Sequence, residues 1–126
     1  ESVGRKHMNF DEISFINNLF KQTIENRIGW SLATNIPRVL YAQSEFLITS
    51  CYESTILQNN QRLYLFRYRV PEYYGEHDTF YNIEKVRLAL ISHDQISWQS
   101  YSDSSPIYNL FDYVSSMFSG INDIFG

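Results

Sequence analysis

Cysteine, proline and glycine are all scarce in this chain, which has one, three and five of them in 126 residues. The lone Cys51 excludes an internal disulfide and makes a reducing compartment the expectation. With so few glycines, the sequence holds no Gly-rich loop to cradle a phosphate and no Gly-flanked serine elbow. No apolar run approaches the roughly 20 residues of a membrane helix, and no secretory leader pattern is present. A cytoplasmic location is therefore expected. Cations are outnumbered, ten Lys and Arg against fourteen Asp and Glu, for a net charge of −4. That balance disfavours direct nucleic-acid binding, which normally needs a basic field, and is compatible with attraction to a basic partner. The three histidines give no metal pattern. His77-Asp78 with Glu72 and Glu76 places donor atoms in one loop, but adjacent residues rarely aim at one ion and no second cluster has zinc-like spacing. Neither a metal nor a cofactor is expected, and no catalytic residue set stands out; Cys51, mid-strand beside Tyr52, is expected to be a buried and inert thiol.

What is abundant is aromatic: ten Tyr and nine Phe bring the aromatic share to 17% with the two Trp. Tyrosine suits partly buried and interface positions, since it joins an apolar ring to a polar tip. A hydrophobic share of 44% argues against disorder. A chain of this length hides about two-thirds of its unfolded surface, enough for one core. Residues 1–7 lack periodicity, and His7-Met8 is a pair that an expression-vector junction leaves. Residues 1–7 are expected to be a tag remnant, and 8–126 a single globular domain.

Hydrophobic spacing predicts a helix over 9–27. Asn9 and Glu12 have capping-box spacing, Ile13, Ile16, Leu19, Phe20 and Ile24 form an apolar stripe, and Gly29 closes the element. Within the ambiguous 30–44, Trp30 to Thr34 could be a short strand, Asn35-Ile-Pro37 breaks the run, and Arg38 to Gln43 opens either a helix or a strand. Strands are predicted at about 45–57, 62–70, 80–92 and 95–101, with Asn59-Asn60 as a hairpin turn. In 45–57, Phe46, Ile48 and Tyr52 share one parity. In 62–70, Tyr64, Phe66, Tyr68 and Val70 share a face expected to meet the helices, with Leu63, Leu65, Arg67 and Arg69 on the other. In 80–92, Val86, Leu88 and Leu90 oppose Tyr81 and Ile83 in parity, which predicts a bulge near Glu84-Lys85 or burial on both faces. Ser105-Pro106 opens a final helix over 106–119, whose stripe runs through Ile107, Leu110, Phe111, Val114, Met117, Phe118 and Ile121 to a stop at Gly120. The fold expected is α+β: an antiparallel sheet of four to five strands with the N- and C-terminal helices packed on one face.

Two surfaces carry interaction chemistry. The loop read over 71–81 holds Glu72, Glu76 and Asp78 among Tyr73, Tyr74, Phe80 and Tyr81, with no Lys or Arg. Aromatic anchors with orienting carboxylates suit a protein interface, so Glu72, Tyr73, Tyr74, Glu76, Asp78 and Tyr81 are the candidate partner-binding residues. The second surface is a stripe of Arg67, Arg69, Lys85 and Arg87, which neighbouring antiparallel strands would bring together as an anion site or pair with Glu45, Glu53 or Glu84.

The Glu72-Tyr73-Tyr74 group resembles the tyrosine pair beside acids that nuclease-colicin immunity proteins use at their interface, although those inhibitors are helical bundles. The α+β outline, with Trp98 in a last strand leading to a helix from Pro106, is similar to some contact-dependent growth inhibition immunity proteins. This resemblance implies a binding module: an inhibitor that neutralises a cognate toxin domain, most simply a basic nuclease, by occluding its active site. The alternatives are a secretion chaperone or adaptor that binds an extended protein segment, and a pocket-type enzyme or ligand binder using His93, Asp94 or Asp103 as acid–base groups.

Overall fold

A computed structural model describes residues 11–42, 47–54, 60–101 and 103–119. Within them α1 spans Glu12–Ile24, β1 Trp30–Leu32, α2 Arg38–Ala42, β2 Leu47–Ser54, β3 Gln61–Tyr74, β4 Thr79–Ser92, β5 Gln95–Gln99 and α3 Ser105–Met117. The five strands form one sheet in the order β1-β2-β3-β4-β5, every neighbouring pair antiparallel. The α+β class holds. The short strand read at 30–34 occurs as the edge strand β1, and after Pro37 the open choice between helix and strand falls to a short helix, α2.

α1 starts two residues later than the capping-box spacing predicts. Asp11 is its N-cap and accepts from the Ser14 N–H at 3.0 Å and the Ser14 hydroxyl at 2.7 Å; Asn9 lies outside the described residues. Glu12 instead accepts from the Tyr101 N–H at 3.2 Å, tying the helix start to the end of the sheet. The stop is Asn26, not Gly29. Asn26 has φ 62°, its N–H reaches the Thr23 carbonyl, and the Arg27 N–H reaches that of Gln22 at 2.9 Å. This pair of bonds is a Schellman stop, for which Asn tolerates the left-handed conformation. At α3, Ser104 takes the cap position without a side-chain bond and Pro106 follows inside the first turn. The stop expected at Gly120 lies outside the described residues.

The sheet is covered on both faces. On one, Tyr52, Leu63, Leu65, Val86 and Leu88 pack with Ile16 and Leu19 of α1 and with Ile107, Leu110, Phe111 and Val114 of α3. The two helices therefore do share one face. On the other, Cys51, Tyr64, Phe66, Tyr68, Ala89 and Ile91 pack beneath Ala33, Ile36, Val39 and Leu40, in the segment between β1 and β2. The expectation that Tyr64, Phe66, Tyr68 and Val70 would meet the terminal helices is thus reversed. Alternation separates the two faces of a strand but cannot name which face receives which element. Burial on both faces explains why 63–66 is apolar throughout, since a strand covered on both sides has no solvent face to mark.

Register accounts for two further departures. The β3–β4 pairing runs without a shift from Gln61↔Ser92 to Tyr74↔Thr79, so there is no bulge at Glu84-Lys85: Val86 and Leu88 are buried on one face and Ala89 and Ile91 on the other, while Tyr81 stands exposed beyond the core. The irregularities lie between Ile48 and Ser50 and between Leu90 and Ile91. The first puts Ile48 on the opposite face from Tyr52, against their shared parity. Glu45, Phe46, residues 55–57 and Asn59 lie outside the described residues; Asn60, at the start of β3, has φ 62°.

Candidate functional site

β3 and β4 are each 14 residues long, while the described part of β2 ends at Leu47↔Arg69 and β5 pairs only with 89–92. The stretch expected to be a loop is therefore the end of a hairpin. Pairing continues through Pro71↔Asn82, Glu72↔Tyr81, Tyr73↔Phe80 and Tyr74↔Thr79 and leaves only 75–78 as the turn. Five residues beyond Arg69, at about 3.3 Å each, give an arm about 17 Å long. Every residue from 71 to 82 is exposed. Strand alternation continues past the core, but the core does not, so aromatics that would be buried lower in the hairpin stand in solvent.

The arm has two aromatic faces. Tyr73 and Phe80 lie on the α1/α3 side, rings 5.1 Å apart, with Phe80 66% exposed. Tyr74 and Tyr81 lie on the α2 side, rings 5.7 Å apart, and Tyr74 stacks on His77 at 4.7 Å. At the turn, Asp78 has φ 49° and accepts from the Tyr73 hydroxyl at 2.7 Å. This bond to a carboxylate holds the Tyr73 phenol above its ordinary range. His77 N–H reaches the Tyr74 carbonyl and Asp78 N–H that of Gly75, which closes the turn. Glu72, Glu76 and Asp78 supply three carboxylates, with no Lys or Arg between 71 and 82. The six candidate partner-binding residues are thus on one projection. Phe80, outside those six, is the most exposed aromatic of the four; it stands opposite Tyr73 through the β3–β4 register, which spacing within one strand does not specify.

The basic stripe is divided. Direct pairing of Arg69 with Glu84 and of Arg67 with Val86 puts both arginines on the α1/α3 side, whereas Lys85 pairs with Tyr68 and Arg87 with Phe66 on the opposite side. Residues opposite one another share a face, and one step of register moves a side chain to the other. Glu84 bridges Arg69 at 3.1 Å and Arg67 at 3.7 Å, and Arg67 lies 5.3 Å over the Phe111 ring. Lys85 pairs with Asp103 at 3.2 Å, a contact that raises the Lys85 pKa, and Arg87 lies over Tyr68. The four cations do not form one anion site.

A cleft of about 450 Å³ lies on the α2 side at the end away from the arm, lined by Pro37, Arg62, Tyr64, Ile91, His93 and Asp94 among others. His93 and Asp94 form the β4–β5 turn, both with positive φ, and are exposed. Arg62 is paired with Glu53 at 2.8 Å. Burial, and then the Glu53 carboxylate, push the Tyr64 phenol up. Asp103 is engaged elsewhere, by Lys85. Cys51 is buried, and that burial pushes its thiol up to about 12. Among the described residues no group of His, Cys, Asp and Glu is placed to hold a metal ion, and no helix is long and apolar enough to cross a membrane.

Comparison of the chain with protein-family models, curated proteins and solved structures gives no match.

Proposed function

We propose that this chain is a binding module that presents the β3–β4 arm to a basic protein partner. In its specific form it is an inhibitor of the immunity type, working in the cytoplasm by lodging the arm in the active-site cleft of a cognate toxin, most simply a nuclease. One observation carries this reading: four exposed aromatics and three carboxylates stand on a narrow ribbon that projects past the core. A projection with aromatics on both sides has the shape to enter a cleft, where both sides lose water together. Buried aromatics at an interface centre contribute most of its affinity, and the carboxylates steer encounter with a basic surface. The cleft at the other end of the sheet offers less support for catalysis, because its His93 and Asp94 are exposed turn residues.

The test is affinity capture of the partner from the producing cell, followed by binding measurements with Tyr73→Ala/Tyr74→Ala. A loss of about 2–4 kcal/mol, roughly 30- to 700-fold in Kd, is expected if both are anchors. The association rate should fall steeply with added salt. Unchanged affinity in the double variant removes the arm from the interface.

A further inference from the structure

The two backbone edges of the arm are not equivalent. Leu88 donates its N–H to the Ser100 hydroxyl at 3.0 Å and accepts from the Ser100 N–H at 2.8 Å, so its backbone faces away from β3. The β3–β4 register has no shift between residues 79 and 92. Period-two alternation therefore turns the N–H and C=O of Phe80, Asn82 and Glu84 to the same outer edge as those of Leu88. Among the described residues no strand pairs with that edge between 79 and 84, and the one contact there is a long bond from the Thr79 hydroxyl to the Phe80 carbonyl. Below it, Lys85 is drawn against Asp103. The β3 edge differs. The Leu63 N–H faces β2, where it reaches the Ser54 hydroxyl, and the same parity points Pro71 outward at a position that has no N–H to offer. A proline on an outer edge blocks strand addition. Among the described residues, one edge of the arm is closed by proline and the other is open.

We infer that the open edge of β4 over 79–84 takes an extended strand of a basic partner, adding it to the sheet through the backbone of Phe80, Asn82 and Glu84. This rests on the reading of the arm as the interface and specifies how it is engaged. Backbone pairing supplies the affinity in such strand addition, and alternate side chains supply the choice of partner. On the α2 side the incoming strand would lie beside Tyr81 and Ile83, which suits apolar residues. On the other it would lie beside the exposed Phe80 ring, whose face suits a cation, and beside Glu84, whose carboxylate already bridges Arg67 and Arg69. Among the described residues, the unbridged carboxylates of the arm are Glu72, opposite Tyr81, and Glu76 at the turn. The fitting segment alternates basic with apolar residues. A second copy of this chain fits poorly, because it brings an arm of the same negative charge alongside.

The experiment uses the whole protein and a capped seven-residue peptide of alternating Lys and Val, read by NMR amide exchange and aromatic resonances. Without peptide, the Tyr81 and Ile83 amides, which face β3, exchange slowly, while those of Phe80, Asn82 and Glu84 exchange freely. With peptide, these last three should slow at least tenfold. Asn82→Pro, which removes an outward N–H and no ladder bond, should weaken peptide binding at least tenfold; if that variant misfolds, the exchange pattern of the natural chain still decides. Shifts of the Tyr73, Phe80 and Tyr81 rings with no slowing of the three amides would overturn strand addition and leave the arm as a side-chain interface. No response at rings or amides would overturn both. Protection that appears without peptide and grows with protein concentration would replace the basic partner by a second copy.

Discussion

Replacing Phe80 by alanine separates an arm built for contact from an arm built for stability. Phe80 is 66% exposed, so about a third of its surface is covered. Full burial of such a ring stabilises by about 1.5–3 kcal/mol, which gives roughly 0.5–1 kcal/mol here. Its tilted contact with Tyr73, at 5.1 Å, adds about 0.5–1 kcal/mol. The loss is also capped, because a two-stranded ribbon is marginal alone and can open without unfolding the sheet. Global unfolding should therefore weaken by no more than about 1 kcal/mol. Urea unfolding followed by tryptophan fluorescence measures this well: Trp30 and Trp98 both pack against the core between the sheet and α1/α3, away from the arm. Leu65→Ala is the control. Leu65 is fully buried at the centre of that core, and its truncation should cost about 2–5 kcal/mol. A Phe80→Ala loss of 2 kcal/mol or more, similar to the control, would falsify the reasoning: the aromatics would then belong to the fold, with no need of a partner.

Two other outcomes follow from the structure. The Cys51 thiol, pushed up to about 12 by burial, should stay unreactive toward a disulfide reagent at neutral pH and react only at the rate of unfolding; fast labelling of the native protein would contradict its placement. Asp11 is held below its ordinary value of 3.8 by the Ser14 backbone and hydroxyl bonds. Its contribution is therefore complete above the unfolded value and lost as pH falls through the lower folded one. Wild type should melt higher than Asp11→Ala at pH 6, with the gap closing in acid; a gap independent of pH would remove Asp11 as the working cap.

Much of the local structure is legible in the chain. The apolar stripes of α1 and α3 and the alternation of β3 need only neighbouring residues to specify them, because the pitch of a helix and the pleat of a strand are local properties. The clustering of carboxylates and aromatics over 71–81 is also plain from composition. What required the tertiary structure is everything that depends on which residues stand opposite one another. Sequence alternation could not reveal that Leu63 and Leu65 meet α1 and α3 while Tyr64, Phe66 and Tyr68 meet the segment before β2, since both faces are apolar. It could not divide Arg67 and Arg69 from Lys85 and Arg87, because spacing within each strand leaves the register between strands open. Nor could it show that the presumed loop is paired strand: Pro71 reads as a terminator, and only its outward-facing position, with no ladder bond to lose, lets β3 run on to Tyr74. The residue types of the candidate site were thus set by the sequence, while its form as a projecting ribbon, with one edge closed by proline and one open, was decided by the register of β3 against β4.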